Sequence, residues 1–218
     1  MKYTNTHTHN TRPQKNETSV INIFAQETKN FNFNKKYFYS IGLHPWHADI
    51  KINFDIIEKK ISDNKNIIAI GEIGLDKYKK IPLNLQIDIF IKQIKIAKKY
   101  NLPVIIHCVR AIQEIIEIKK DISPNNTWIF HNFNKNTTTA ERLLKNNFIL
   151  SFGDILLKNN TKIIESIKNI NVNNILLEND NSNIPIYDIY KQISLIKNIN
   201  IHKLKSIINK NFNRTFNL

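Results

Sequence analysis

The sequence predicts an α/β protein built as a single (β/α)8 barrel spanning residues 1–218, and three observations carry that prediction. Short β-branched runs alternate with helix-length amphipathic stretches from about residue 67 onward, the pattern of a parallel sheet flanked by helices. The candidate strands number eight, the count that closes such a barrel. Four of them stop on a histidine or a carboxylate, and in a parallel barrel all strand C-terminal ends share one rim. A chain of 218 residues with 41% hydrophobic and 23% charged side chains suffices for one such core.

Three strands are read before residue 50, at 2–9, 19–24 and 37–43. The connections between them hold little room for full helices, so the N-terminal third of the barrel is expected to be trimmed. Residues 67–70, Ile-Ile-Ala-Ile, are short, β-branched and closed by Gly71, as a buried parallel strand should be. Residues 83–100 follow Pro82 and place Leu85, Ile89 and Ile96 at near-helical spacing. Strand-like 103–106 then leads into a helix at 111–120. Residues 128–130 form the next strand and 137–147 a helix with threonines available as caps. Strand 148–152, helix 158–170 and strand 175–177 follow, and two helices at 187–199 and 201–211 close the fold.

Composition narrows the function classes. No apolar run approaches the ~18 residues that span a bilayer, and no apolar segment of a signal peptide follows Met1. Cys108 is the single cysteine, which excludes an intramolecular disulfide, so a cytoplasmic location is expected. Lys and Arg total 32 against 18 Asp and Glu, a formal charge of +14 that attracts polyanions. Nearly all of it is lysine, in a chain rich in Ile and Asn as AT-rich codons would make it. Charge alone therefore does not assign a nucleic-acid partner.

The strand ends say more. The run 67–70 ends in Gly71-Glu72, 104–106 in His107, 128–130 in His131, and 175–177 in Glu178-Asn179-Asp180. His7 and His9, two apart on an extended strand, share one face and can bind one ion together. Histidine with carboxylate suits zinc, manganese or a similar divalent metal. The expected division places His7, His9 and Asp180 on one ion, His107 and His131 on a second, and Glu72 as the bridge. Two divalent ions bring a charge of about +4, which Glu72, Asp180 and one hydroxide reduce to roughly +1, a sign that favours an anionic substrate. Asp180 and Glu72 are the expected catalytic carboxylates, Asp180 also as acceptor of a proton from the attacking water.

The same residues resemble the TatD family of metal-dependent deoxyribonucleases, within the amidohydrolase-like barrels. The resemblance lies in Thr6-His7-Thr8-His9, Ile41-Gly42-Leu43-His44-Pro45 and Gly71-Glu72-Ile73-Gly74-Leu75-Asp76, followed by Pro103 to His107, His131-Asn132-Phe133 and Glu178-Asn179-Asp180. It implies a distorted TIM (β/α)8 barrel with two divalent ions (Zn, Mg or Mn) that hydrolyses phosphodiester bonds, commonly from a 3′ end. It also implies that His44 sits near the substrate and that Glu178 supports the ligands from behind. DNA is the expected substrate, with RNA as a further one.

Departures from the family pattern are specific. Asn5 replaces the usual Asp behind His7 and His9, which removes a charge from beneath that ion. Val109 holds the position of the usual Arg after His107, and Arg110 follows it. A one-residue shift turns a strand side chain to the other face unless the chain has already curled into a loop, and this decides whether Arg110 reaches a substrate phosphate. Trp46 and Tyr78 follow rim motifs and either stack on a base or pack against the barrel. Asp76 either supports the site or orders its turn, and Cys108 is expected to pack in the core. Two other readings keep part of this chemistry: hydrolysis of an amide, lactone or aminoacyl ester by the same ligands, and a non-catalytic barrel that binds nucleic acid.

Overall fold

The computed structural model describes residues 2–158 and 160–218. Eight strands form one sheet in sequence order: β1 (Tyr3–Thr8), β2 (Glu17–Phe24), β3 (Phe38–Gly42), β4 (Ile67–Asp76), β5 (Val104–Val109), β6 (Trp128–Phe130), β7 (Phe148–Phe152) and β8 (Ile175–Leu177). Among the described residues seven α-helices accompany them: α1 (Asp55–Asp63), α2 (Leu83–Lys99), α3 (Ile112–Ile122), α4 (Thr137–Lys145), α5 (Thr161–Asn169), α6 (Ile186–Lys197) and α7 (Ile201–Phe216). Past the end of β8 the chain pairs in parallel with β1, where Asp180 N–H donates to His7 O and His9 N–H to Asp180 O, both at 3.1 Å. An eight-strand sheet in sequence order with its first strand beside its last is the (β/α)8 fold.

The connections bear out the trimmed N-terminal third. No helix lies between β1 and β2, and only the 3-10 segment Ala25–Asn30 follows β2. Several elements differ from the sequence reading: β5 runs past His107 to Val109, and α7 continues to Phe216. The fourth strand does not stop at Gly71 but runs to Asp76, with a register shift between Ile70 and Ile73. Helix α1 escapes a periodicity argument because it is short, Phe54 gives it no side-chain cap, and Ile56 is 47% exposed while Ile57 and Ile61 are buried. The helix expected at 158–170 is the 3-10 segment Asp154–Lys158 followed by α5, and residue 159 lies outside the described residues. Cys108 is half-buried rather than a core residue.

The chain divides into two compact units, Met1–Val20 with Phe130–Leu218, and Ile21–Ile129. In the first, Leu150, Phe152, Leu176, Leu177, Ile167 and Phe212 are fully buried. In the second, Ile41, Ile70, Ile73, Ile94, Ile105 and Trp128 are likewise at zero exposure, each contributing roughly 1.5–3 kcal/mol.

Lys119 on α3 is an exception in that second core, 9% exposed with Nζ 5.7 Å from the Trp128 ring centroid. Burial pulls its ammonium from 10.5 down to about 8. Between those two values the unfolded chain holds the proton and the folded chain releases it, so stability rises with pH across that window. Lys119→Met is expected to raise the Tm at neutral pH, where the charged form is disfavoured. Its advantage over wild type should shrink from pH 8 to about 10.5 in thermal melts, and an advantage constant across that range refutes the assignment.

Candidate functional site

In the first unit the rim residues lie at or just beyond the ends of β1, β6 and β8. His7 Nε2 and His9 Nε2 each stand 3.5 Å from the same oxygen, Asp180 Oδ1, and the His7 ring lies 4.7 Å from that of His131. Two imidazoles converging on one carboxylate oxygen form a donor set for a divalent cation. His131 is oriented from behind: its Nδ1–H donates to Glu178 Oε1 at 2.9 Å, which places the lone pair on Nε2, the tautomer a metal-binding histidine needs. Glu178 is fully buried, and its Oε2 has no hydrogen-bond partner among the described residues. A buried carboxylate oxygen of that kind fits a neighbouring cation.

Backbone shape at the rim is unusual. Asn132 (φ 45°) and Asp180 (φ 51°) adopt left-handed conformations two and three residues past the ends of β6 and β8. Asn and Asp tolerate this region best, and the turn at Asn132 lets its N–H reach Glu178 Oε1 at 3.0 Å. Its side chain also donates to Asp180 Oδ2 at 3.4 Å.

Asn5 lies beneath His7, with zero exposure. Its Nδ2 donates to Asn179 Oδ1 (2.8 Å) and Glu17 Oε1 (2.6 Å), and its Oδ1 accepts from Asn179 N–H (3.2 Å). Ser19 Oγ donates to the same Glu17 oxygen at 2.6 Å. The amide therefore ties β1 to the segment carrying Asp180, and a buried carboxylate sits one strand away from Asn5. Glu17 belongs to no motif, and nothing in the sequence singled it out.

In the second unit Glu72 is the hub. Its Oε1 accepts from His44 Nε2–H at 3.2 Å and lies 2.7 Å from His107 Nδ1. His44 Nδ1 accepts from Trp46 N–H at 3.2 Å, which fixes its proton on Nε2. Donor atoms of His44, Glu72 and His107 all lie within 4.8 Å of one another. The other nitrogen of His107, Nε2, stands 3.2 Å from Asp76 Oδ2. Burial alone would raise the Asp76 pKa, but hydrogen bonds from Trp46, the Tyr78 N–H and His107 outweigh it and hold the carboxyl below its ordinary value.

Helix α2 holds this half in place through two buried glutamines seven residues apart. Gln86 brackets Asp76, accepting from its N–H at 2.7 Å and donating to its carbonyl at 3.1 Å; Gln93 does the same for Leu43, at 2.7 and 3.1 Å. The segments carrying His44 and Asp76 are thus pinned by one helix face. Arg110 lies just past the end of β5 with φ 55°, so the chain has curled and the strand-face argument no longer governs it. Its guanidinium covers the Tyr78 ring at 4.5 Å.

A (β/α)8 chain with histidine–carboxylate clusters along its strands has the donor chemistry of a divalent-metal site. Comparison with known proteins agrees: the TatD related DNase family matches residues 5–217. The chain is 32% identical to an uncharacterized metal-dependent hydrolase of Buchnera aphidicola, over 92% of this chain and 85% of that one. It is 33% identical to the uncharacterized metal-dependent hydrolase YabD of Bacillus subtilis, over 82% and 77%. The crystal structure of the Escherichia coli TatD homolog YJJV superimposes with a TM-score of 0.85 at 19% identity, covering 99% of this chain and 98% of that one. The chain belongs to the TatD family of metal-dependent hydrolases.

Proposed function

We propose that the protein is a divalent-metal-dependent deoxyribonuclease, with His7, His9, His131 and Asp180 of the first unit and Glu72 and His107 of the second as metal ligands. The observation that carries the metal reading is the convergence of His7 Nε2 and His9 Nε2 on one carboxylate oxygen, Asp180 Oδ1, each at 3.5 Å. The family description, TatD related DNase, supports a nucleic-acid substrate. A surplus of 14 positive charges favours encounter with a polyanion. Among the described residues no helix is long and apolar enough to cross a membrane.

Bound divalent cations supply Lewis acidity, making water acidic enough to attack near neutral pH and offsetting charge on phosphate oxygens. The chain's own groups do the rest. Asp180 accepts the proton of the attacking water, and Asn132 holds its second oxygen. Glu178 keeps His131 in one tautomer, and His44, by donating to Glu72, keeps that carboxylate aimed at His107. Arg110 meets a substrate phosphate from the mouth of β5.

Purified protein is expected to degrade DNA with added magnesium or manganese, to lose that activity in EDTA and to regain it when the metal is restored. DNA cleavage unaffected by chelation rules the reading out.

A further inference from the structure

Of the two tryptophans, Trp128 is fully buried, as a core tryptophan should be, whereas Trp46 is 47% exposed. Exposed aromatics that serve no contact are usually loose, yet Trp46 is fixed on several sides. Its indole N–H donates to Asp76 Oδ2 at 2.6 Å, and its backbone N–H donates to His44 Nδ1. Its ring meets those of His44 and His107 edge-on, at 4.9 and 5.9 Å. Over the ring lies Lys79 Nζ, 3.8 Å from the centroid. The pairing recurs two residues past Asp76: Tyr78, 70% exposed, carries Arg110 over its ring and donates its backbone N–H to Asp76 Oδ1 at 2.8 Å. One buried carboxylate, Asp76, therefore links His107 to two exposed rings, each attended by a cation.

We propose that Trp46 is a stacking platform that seats an unpaired nucleobase of the substrate beside the Glu72–His107 cluster, with Lys79 meeting the adjoining phosphate. Packing does not explain a rigid indole left half in water, since that exposure forgoes burial free energy. An exposed cation–π contact is weaker than stacking of a base on an aromatic ring, so a base displaces the ammonium from the indole face and frees it for phosphate. The ring is held by the same Asp76 that touches His107, so a stacked base has a fixed offset from the cluster.

The proposal rests on the nuclease reading for its substrate, and the test separates the two. Deoxyadenosine monophosphate is titrated into the protein in EDTA while tryptophan emission is followed. Saturable quenching is expected from wild type, with none from deoxyribose phosphate, which lacks the ring. In Trp46→Leu the remaining emission, from buried Trp128, should keep its wild-type wavelength, reporting an intact fold, and should not respond to the nucleotide.

Trp46→Leu is further expected to raise KM for single-stranded DNA roughly 10-fold, in line with one lost stacking contact. Trp46→Phe should stay within about threefold of wild type, and a substrate ending in an abasic residue should show no dependence on Trp46. Quenching without any DNA cleavage leaves the stacking site standing and removes the nuclease. Cleavage with no quenching, or equal quenching by deoxyribose phosphate, overturns the stacking site.

Discussion

Glu72→Gln is expected to lower metal-dependent hydrolysis by more than about 100-fold, because residues that only orient metal ligands already cost 10–100-fold when replaced. Glu72 is 4% exposed, and its Oε1 is shared by His44 Nε2 and His107 Nδ1 at 3.2 and 2.7 Å. Glutamine keeps the shape and one acceptor oxygen. It removes the negative charge that a divalent cation requires. The loss should appear as reduced metal content after dialysis as well as reduced kcat/KM.

Glu178→Gln tests the companion cluster at lower amplitude. Glu178 touches His131 Nδ1, so its loss should cost about 10–100-fold with partial rescue by raised metal concentration. In EDTA the stability of Glu72→Gln should stay within about 1 kcal/mol of wild type, since a neutral side chain replaces a buried charge of similar volume. Glu72→Gln activity within tenfold of wild type, with chelator sensitivity intact, would remove Glu72 from the ligand set.

The candidate residues, though not their grouping, were legible in the sequence for a topological reason. A parallel strand buried on both faces is apolar along its length, so a histidine or acid directly after Phe130 or Leu177 marks where the strand meets the rim, whereas β5 runs on past His107 to Val109. The tautomers were not legible, because they depend on partners distant in sequence, such as Glu178 for His131 across 47 residues. Arg110 shows the same limit. Counting strand positions put it one residue out of step, and only its left-handed backbone shows that the strand has already ended. Glu17 carried no signal, since its role comes from lying beside Asn5 across two strands. Asp76 stood in a recognisable motif and Trp46 directly after one, yet only their contact shows that one holds the other.

The fourth strand was misread at Gly71 for a reason that yields the second large expectation. Gly71 and Gly74 look like strand breakers, but at each of them an added Cβ would run into β5. A Cβ on Gly71 would lie 2.6 Å from Ile105 Cβ, and one on Gly74 would lie 1.9 Å from His107 O and 2.9 Å from His107 C. Gly74 also has φ +151°, a conformation that L side chains rarely adopt. Gly74→Ala is therefore expected to destabilise by roughly 3 kcal/mol or more, read from the urea midpoint in chelator. Gly153→Ala is the control: its nearest neighbours would stand 3.5–3.7 Å away, ordinary contact, and its effect should stay within about 1 kcal/mol. Because Gly74 pairs directly with His107 in the β4–β5 register, backbone that yields to an added methyl must carry His107 with it. The Gly74→Ala protein that remains folded should then lose hydrolysis beyond its unfolded fraction, whereas a variant whose activity simply tracks its folded fraction would show that the close approach serves stability alone.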